Sequence, residues 1–301
     1  MNNLYDQKSK NIRKTWFLMT IFFLATIALG ALLGYVFNTS IVVYGFALFG
    51  IVSNVTAYWF SDKIALAQSH AKLADKAVYP ELYAMIETLS KKAELPMPRV
   101  YIIEDPMPNA FATGRNPYNA AVAVTTGILP LLNKSELEGV LAHELAHIGN
   151  RDTLVMTMVT VLAGLFSTAA HFFAFGGSMG GSNENRNPLF FFLAIAASII
   201  APFAAMIVQL SISRKREFLA DASGALLTKY PQGLASALQK ISQFTQPMRH
   251  ATESTAHLYI ANPLGHAFSA DGKEKVGFVK KLFMTHPPVQ ERVDALLGRN
   301  E

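Results

Sequence analysis

The chain has 301 residues, of which 51% are apolar, only 16% are charged and none is cysteine. The missing thiols exclude disulfides, thiolate metal sites and cysteine nucleophiles, and a charge content well under the roughly 25% of soluble domains argues against an ordinary soluble enzyme. The formal net charge of +5 lies largely beside apolar stretches, with no long basic run or nucleic-acid motif, so it reads as topological and no nucleic-acid partner is expected.

Residues 1–60 open with a basic flank, Lys8, Lys10, Arg13 and Lys14, followed by two uncharged runs over 16–37 and 41–60. At a rise of about 1.5 Å per residue each run can cross a hydrocarbon core roughly 30 Å thick. Asn38-Thr39-Ser40 is a short polar turn, so the runs pair as a hairpin. The flank resembles the start of a signal peptide. The first run is too long for a signal core and a second follows at once, so a retained anchor is expected.

Residues 61–152 are polar. A helical pattern over 79–95 is ended by Pro96 and Pro98, and β-branched runs over 99–104 and 120–125 read as strands. Leu137, Val140, Leu141 and Leu145 give helical spacing, with Ser135 and Glu138 as an S-x-x-E capping box ahead of them. Residues 153–213 form a second apolar hairpin, from spans 153–175 and 189–213 joined by a Gly-, Ser- and Asn-rich connection over 176–188. His171 near a span end reads as interfacial. Residues 214–301 are polar again, with helical patterns over 217–229, 233–245 and 289–297. Residues 246–275 are irregular and are expected to form a mobile loop. Lys and Arg flank the spans on the side of the polar segments, whereas the hairpin tips carry only Arg186. The polar segments and both termini are therefore expected in the cytoplasm, if the membrane is a bacterial inner membrane.

The chemistry centres on HELAH at 143–147. Histidines at i and i+4 share a helix face and can grip one zinc ion through ring nitrogens. Glu144, about 100° round the helix from His143, can reach a metal-bound water and take its proton. A catalytic zinc needs a third protein ligand. Position 153 is Thr153 and position 150 is Asn150, so the pattern with a third histidine six residues on is absent. Glu217 and Asp221 share a face of the helix that begins where the second hairpin returns to the surface, and either could approach the histidines. The alternative is that both merely pair with neighbouring Arg and Lys on a wet face. His70, His250, His257 and His266 have no metal spacing and read as surface residues.

With PNAFATG at 108–114, SRKREFLADA at 213–222 and THPPVQERV at 285–293 in order around HELAH, nearly the whole chain resembles the HtpX family of heat-shock membrane proteases, relatives of the prenyl-protein endoproteases. The resemblance implies that His143, His147 and Glu217 hold the zinc and that Asp221 orients a histidine. It further implies that Asn109, Ala110 and Phe111 belong to an edge strand that pairs with an extended substrate. His286 and Arg292 would then sit near the cleft, His286 as a donor to the developing oxyanion. The expected architecture is a mainly α membrane protein: four transmembrane helices in two hairpins plus a cytoplasmic α+β zincin-like protease domain. The expected activity is zinc endoproteolysis of misfolded or damaged membrane proteins at the bilayer. A prenyl-peptide processing enzyme is the runner-up. A membrane zinc carrier is disfavoured because its ligands should lie within the spans.

Overall fold

The computed structural model describes residues 4–178, 213–252, 254–265 and 287–299. The expected span 189–213 lies outside these apart from Ser213, as do His266, His286 and most of the 176–188 connection. Two described helices are long and apolar enough to cross a membrane, α1 (Leu4–Val36) and α2 (Ile41–Gln68). The third expected span falls within α6 (Asp152–Ser178). Leu18 and Phe22 of α1, Ala57 of α2 and Leu154, Val155, Met158 and Val159 of α6 form one buried cluster. The N-terminal part of α6 is thus packed inside protein, while Trp16, Leu24, Tyr44, Val55 and Trp59 stay exposed on α1 and α2.

Between α2 and α6 the chain forms a small sheet flanked by helices. Its strands are β1 (Lys72–Leu73), β2 (Arg99–Ile103), β3 (Ala110–Gly114) and β4 (Ala120–Thr125), in the order β1-β2-β4-β3. The β2–β4 pair is parallel and the other two pairs are antiparallel. Side chains alternate across the pleat. Val100, Ile102, Ala110, Ala112, Val122 and Val124 pack on α3 (Pro80–Lys92) and α5 (Lys134–Gly149). Ile103, Phe111, Ala121 and Ala123 pack on Ala65 and Leu66 of α2 and Met156 of α6. The sheet is therefore clamped between α3 and α5 on one face and the C-terminal part of α2 with the N-terminal part of α6 on the other. This is why strands with no exposed face read as short apolar runs. A short helix α4 (Ile128–Leu131) precedes α5, and α7 (Arg214–Thr228), α8 (Pro231–Ser242) and α9 (Val289–Leu297) complete the described helices.

Three expectations change. The cap of α5 is Asn133 with Glu136, two residues before the expected Ser135 and Glu138. The Asn133 side chain accepts from the Glu136 N–H at 3.0 Å, and Glu136 accepts from the Asn133 N–H at 2.9 Å. Asn is at least as good an N-cap as Ser, and Ser135 instead donates to the Asn133 side chain at 2.8 Å. Part of the segment expected to be a mobile loop is packed: Thr255, Ala256, His257, Leu258, Tyr259 and Ile260 are all buried. His257, expected on the surface, is 2% exposed, its Nε2 lying 2.9 Å from the Met156 carbonyl oxygen of α6.

The buried Glu136 also accepts from Ser236 Oγ at 2.6 Å and Lys240 Nζ at 2.7 Å, tying α5 to α8. Burial alone would raise its carboxyl, but Lys240, Ser236 and the Asn133 N–H outweigh burial and hold it below the ordinary range. A carboxyl depressed by folding stabilises above its unfolded pKa of about 4.3, and that contribution is lost as pH falls through the folded value. Glu136→Gln is expected to destabilise the protein by about 1–3 kcal/mol at pH 7. Chemical denaturation at pH 7 and again below pH 4 should show the deficit shrinking in acid. A deficit that persists unchanged would place its origin outside the charge.

Candidate active site

Helix α5 carries His143, Glu144 and His147 on its buried surface, each no more than 3% exposed. A close helix crossing brings α7 against them. A Cβ at Gly224 would lie 2.9 Å from the His143 backbone nitrogen, so only glycine lets the two backbones approach here. Glu217 and Asp221 precede Gly224 by seven and three residues, which puts them on the same face of α7. The turn between α5 and α6 supplies another carboxylate. Arg151 takes a left-handed φ of 60°, breaking the helix and turning Asp152 back towards His147.

The two imidazoles are held from behind. His143 Nδ1 lies 2.9 Å from Asp221 Oδ1, and His147 Nδ1 lies 3.0 Å from Asp152 Oδ2. An Nδ1–H donated to each carboxylate points each Nε2 away from it, so that each ring in its neutral form can offer its Nε2 lone pair to a metal. The two Nε2 atoms lie 3.1 Å apart, and Glu217 Oε1 lies 3.6 Å from His147 Nε2. All three donor atoms fall within 4.8 Å of one another. Tetrahedral ligands at zinc distances stand about 3.3 Å apart, so this donor set fits such an ion. Among described residues it is the one cluster of three or more His and acidic groups with that convergence.

Arg292 of α9 locks the back of the site. Its Nε and Nη2 donate to the two Asp221 oxygens at 2.8 and 2.6 Å, and Nη1 donates to the Ile260 carbonyl at 3.2 Å. Nη1 is also 3.8 Å from Glu217 Oε2. At 1% exposure, Arg292 stands behind Asp221 rather than on an open wall. Its guanidinium holds the Asp221 carboxyl below the ordinary range against the opposing effect of burial. Burial pushes Glu144 up to about 7 and His143 down to about 4. At His147 burial acts downwards too, but Asp152, Glu217 and Glu144 outweigh it and push the ring up to about 9.

The structure places the expected strand residues beside this site. The sheet order leaves β3 at an edge, and the Ala112 backbone is hydrogen-bonded to the Glu144 carboxylate. At Ala110 the outer edge is already paired, its carbonyl accepting from the Ile260 N–H at 2.9 Å. Asn109 grips Ala261, donating to its carbonyl at 2.9 Å and accepting from its N–H at 3.3 Å. Phe111 is fully buried and packs edge-on to Tyr259 with ring centroids 5.0 Å apart. Asp152 was missed from sequence. Its one signal is position: it is the last charged residue before the uncharged stretch that forms α6.

A helical HELAH with a converging carboxylate beside a small sheet defines a metallopeptidase. The family profile and the sequence relatives agree. The profile of Peptidase family M48 matches residues 76–300. The protease HtpX homolog of Caldanaerobacter subterraneus subsp. tengcongensis is 40% identical over 301 residues, covering 97% of each chain. That of Thermoanaerobacter pseudethanolicus is 43% identical over 303 residues with the same coverage. That of Thermococcus kodakarensis is 43% identical, over 88% of this chain and 89% of its own. A crystal structure of S. mikatae Ste24p is similar with a TM-score of 0.49 at 17% identity, covering 97% of this chain and 67% of that one. The chain belongs to peptidase family M48, among its HtpX-like members. With that family and two long apolar helices, it is a metallopeptidase of the membrane.

Proposed function

We propose that the protein is a zinc endopeptidase that cleaves misfolded or damaged membrane proteins on the cytoplasmic side of a bacterial inner membrane. In this reading the chain crosses the membrane four times. The convergence of His143 Nε2, His147 Nε2 and Glu217 Oε1 supports the metal assignment most strongly. All three ligands are imidazole or carboxylate, a set that suits zinc. When bound, the ion supplies Lewis acidity to a water and to the scissile carbonyl.

The chain's own groups do the rest. Asp221 and Asp152 fix the two histidine rings, and Arg292 fixes Asp221. Glu144, buried beside the metal-facing atoms and held by the Ala112 backbone, takes the proton of the attacking water and passes it to the leaving amine. An extended substrate lies along the outer edge of β3, bringing its scissile bond past Glu144. The Ala110 edge positions, paired with Ile260 in this structure, become available to it when residues 259–261 shift.

The purified full chain in detergent should cleave an unfolded membrane-protein substrate, lose cleavage on chelation and regain it with about one zinc per chain. Cleavage that survives complete metal removal would overturn this reading.

A further inference from the structure

The metal site reaches into the first membrane helix. Asp152, which holds His147 Nδ1 through Oδ2, has its other oxygen 2.8 Å from Asn11 Nδ2 of α1. The same Asn11 amide also donates to the Asn150 carbonyl oxygen at 2.9 Å, in the turn that presents Asp152. Asn11 is 4% exposed and Asp152 1%. Arg216, next to ligand Glu217, places its Nε 3.6 Å from the same Asp152 oxygen that Asn11 contacts. That separation is too long for a good hydrogen bond, so the Asn11 contact is the one that sets the orientation of the carboxylate.

We propose that Asn11 is a positioning residue of the metal site: it fixes Asp152, which fixes the ring of His147. A buried polar side chain near the inner end of a membrane helix is costly unless fully used, and here both bonds from its amide nitrogen converge on the segment following HELAH. Two consequences follow. Affinity for the ion depends on α1 being docked against α6, where Leu18 and Phe22 pack. The N-terminal hairpin is then part of the catalytic centre as well as an anchor. The inference rests on the zinc reading above.

The test is a zinc titration against a competing chelator, on the full chain in detergent, with the melting temperature of the metal-free protein followed in parallel. Asn11→Leu keeps the branched shape and removes both bonds. It is expected to weaken zinc affinity roughly tenfold or more, the scale of a lost supporting partner. Thr26→Val, which removes a buried hydroxyl further along α1, should leave affinity unchanged. The exchange Asn11→Asp with Asp152→Asn reverses the donor and acceptor of the contact between these two side chains and keeps that link to His147, although it gives up the bond to the Asn150 carbonyl. It should bind zinc more tightly than either single substitution. Where Asn11→Leu lowers melting as well as affinity, the exchange pair carries the decision. Parent-like affinity in Asn11→Leu, or an exchange pair no better than its singles, would overturn the role of Asn11. A parent that binds no zinc would instead overturn the metal reading itself.

Discussion

Glu144→Gln is expected to bind zinc like the parent and to cleave peptide bonds between about 100- and 10,000-fold more slowly, the usual worth of general acid–base catalysis. The amide is isosteric and can still accept from the Ala112 N–H, so β3 and α5 keep their relation. It cannot accept a proton from water. The three metal-facing atoms, on His143, His147 and Glu217, are untouched. Metal content and turnover measured on one preparation separate the two effects. Near-parental turnover would remove Glu144 from the proton path.

The second large effect is on stability. Arg292→Ala is expected to cost about 3–5 kcal/mol, because removing one partner of a buried pair strands the other charge. Asp221 would keep His143 Nδ1 but lose both guanidinium bonds, at 2.6 and 2.8 Å. Arg292→Lys keeps the charge but not the planar fork that matches a carboxylate, so a smaller loss is expected. Replacing Arg292 by Met and Asp221 by Leu together should recover much of the stability, since an apolar pair is often no worse than a buried ion pair, while leaving His143 unsupported and zinc weakly held. Thermal unfolding of the metal-free variants reads the first quantity and zinc titration the second. An Arg292→Ala protein as stable as the parent would refute the locking role.

The local patterns of the soluble part were readable because each rests on short-range chemistry. The strand 120–125 and the helix 289–297 match β4 and α9 residue for residue. The HELAH histidines share a face by spacing alone. What spacing could not do was rank Glu217 against Asp221, four residues apart on one helix. That distinction depends on where α7 crosses α5, and the crossing is set by Gly224, whose missing side chain carries no chemical signal of its own. Asp152 and Asn11 were invisible for a similar reason. The first acts across a helix break made by one left-handed residue, Arg151, and the second across helix packing between distant parts of the chain. His257 was misread because polarity suggested the surface, whereas tertiary packing gives its ring a buried carbonyl partner at Met156.

The central claim is that His143, His147 and Glu217 hold one metal ion. Equilibrium zinc titration of Glu217→Ala beside the parent tests it most directly. The parent should take up one zinc per chain, and Glu217→Ala should lose more affinity than the roughly 10–100-fold expected of Asp221→Ala or Asp152→Ala, which remove only supporting partners. A Glu217→Ala protein that binds zinc as tightly as the parent would contradict the assignment.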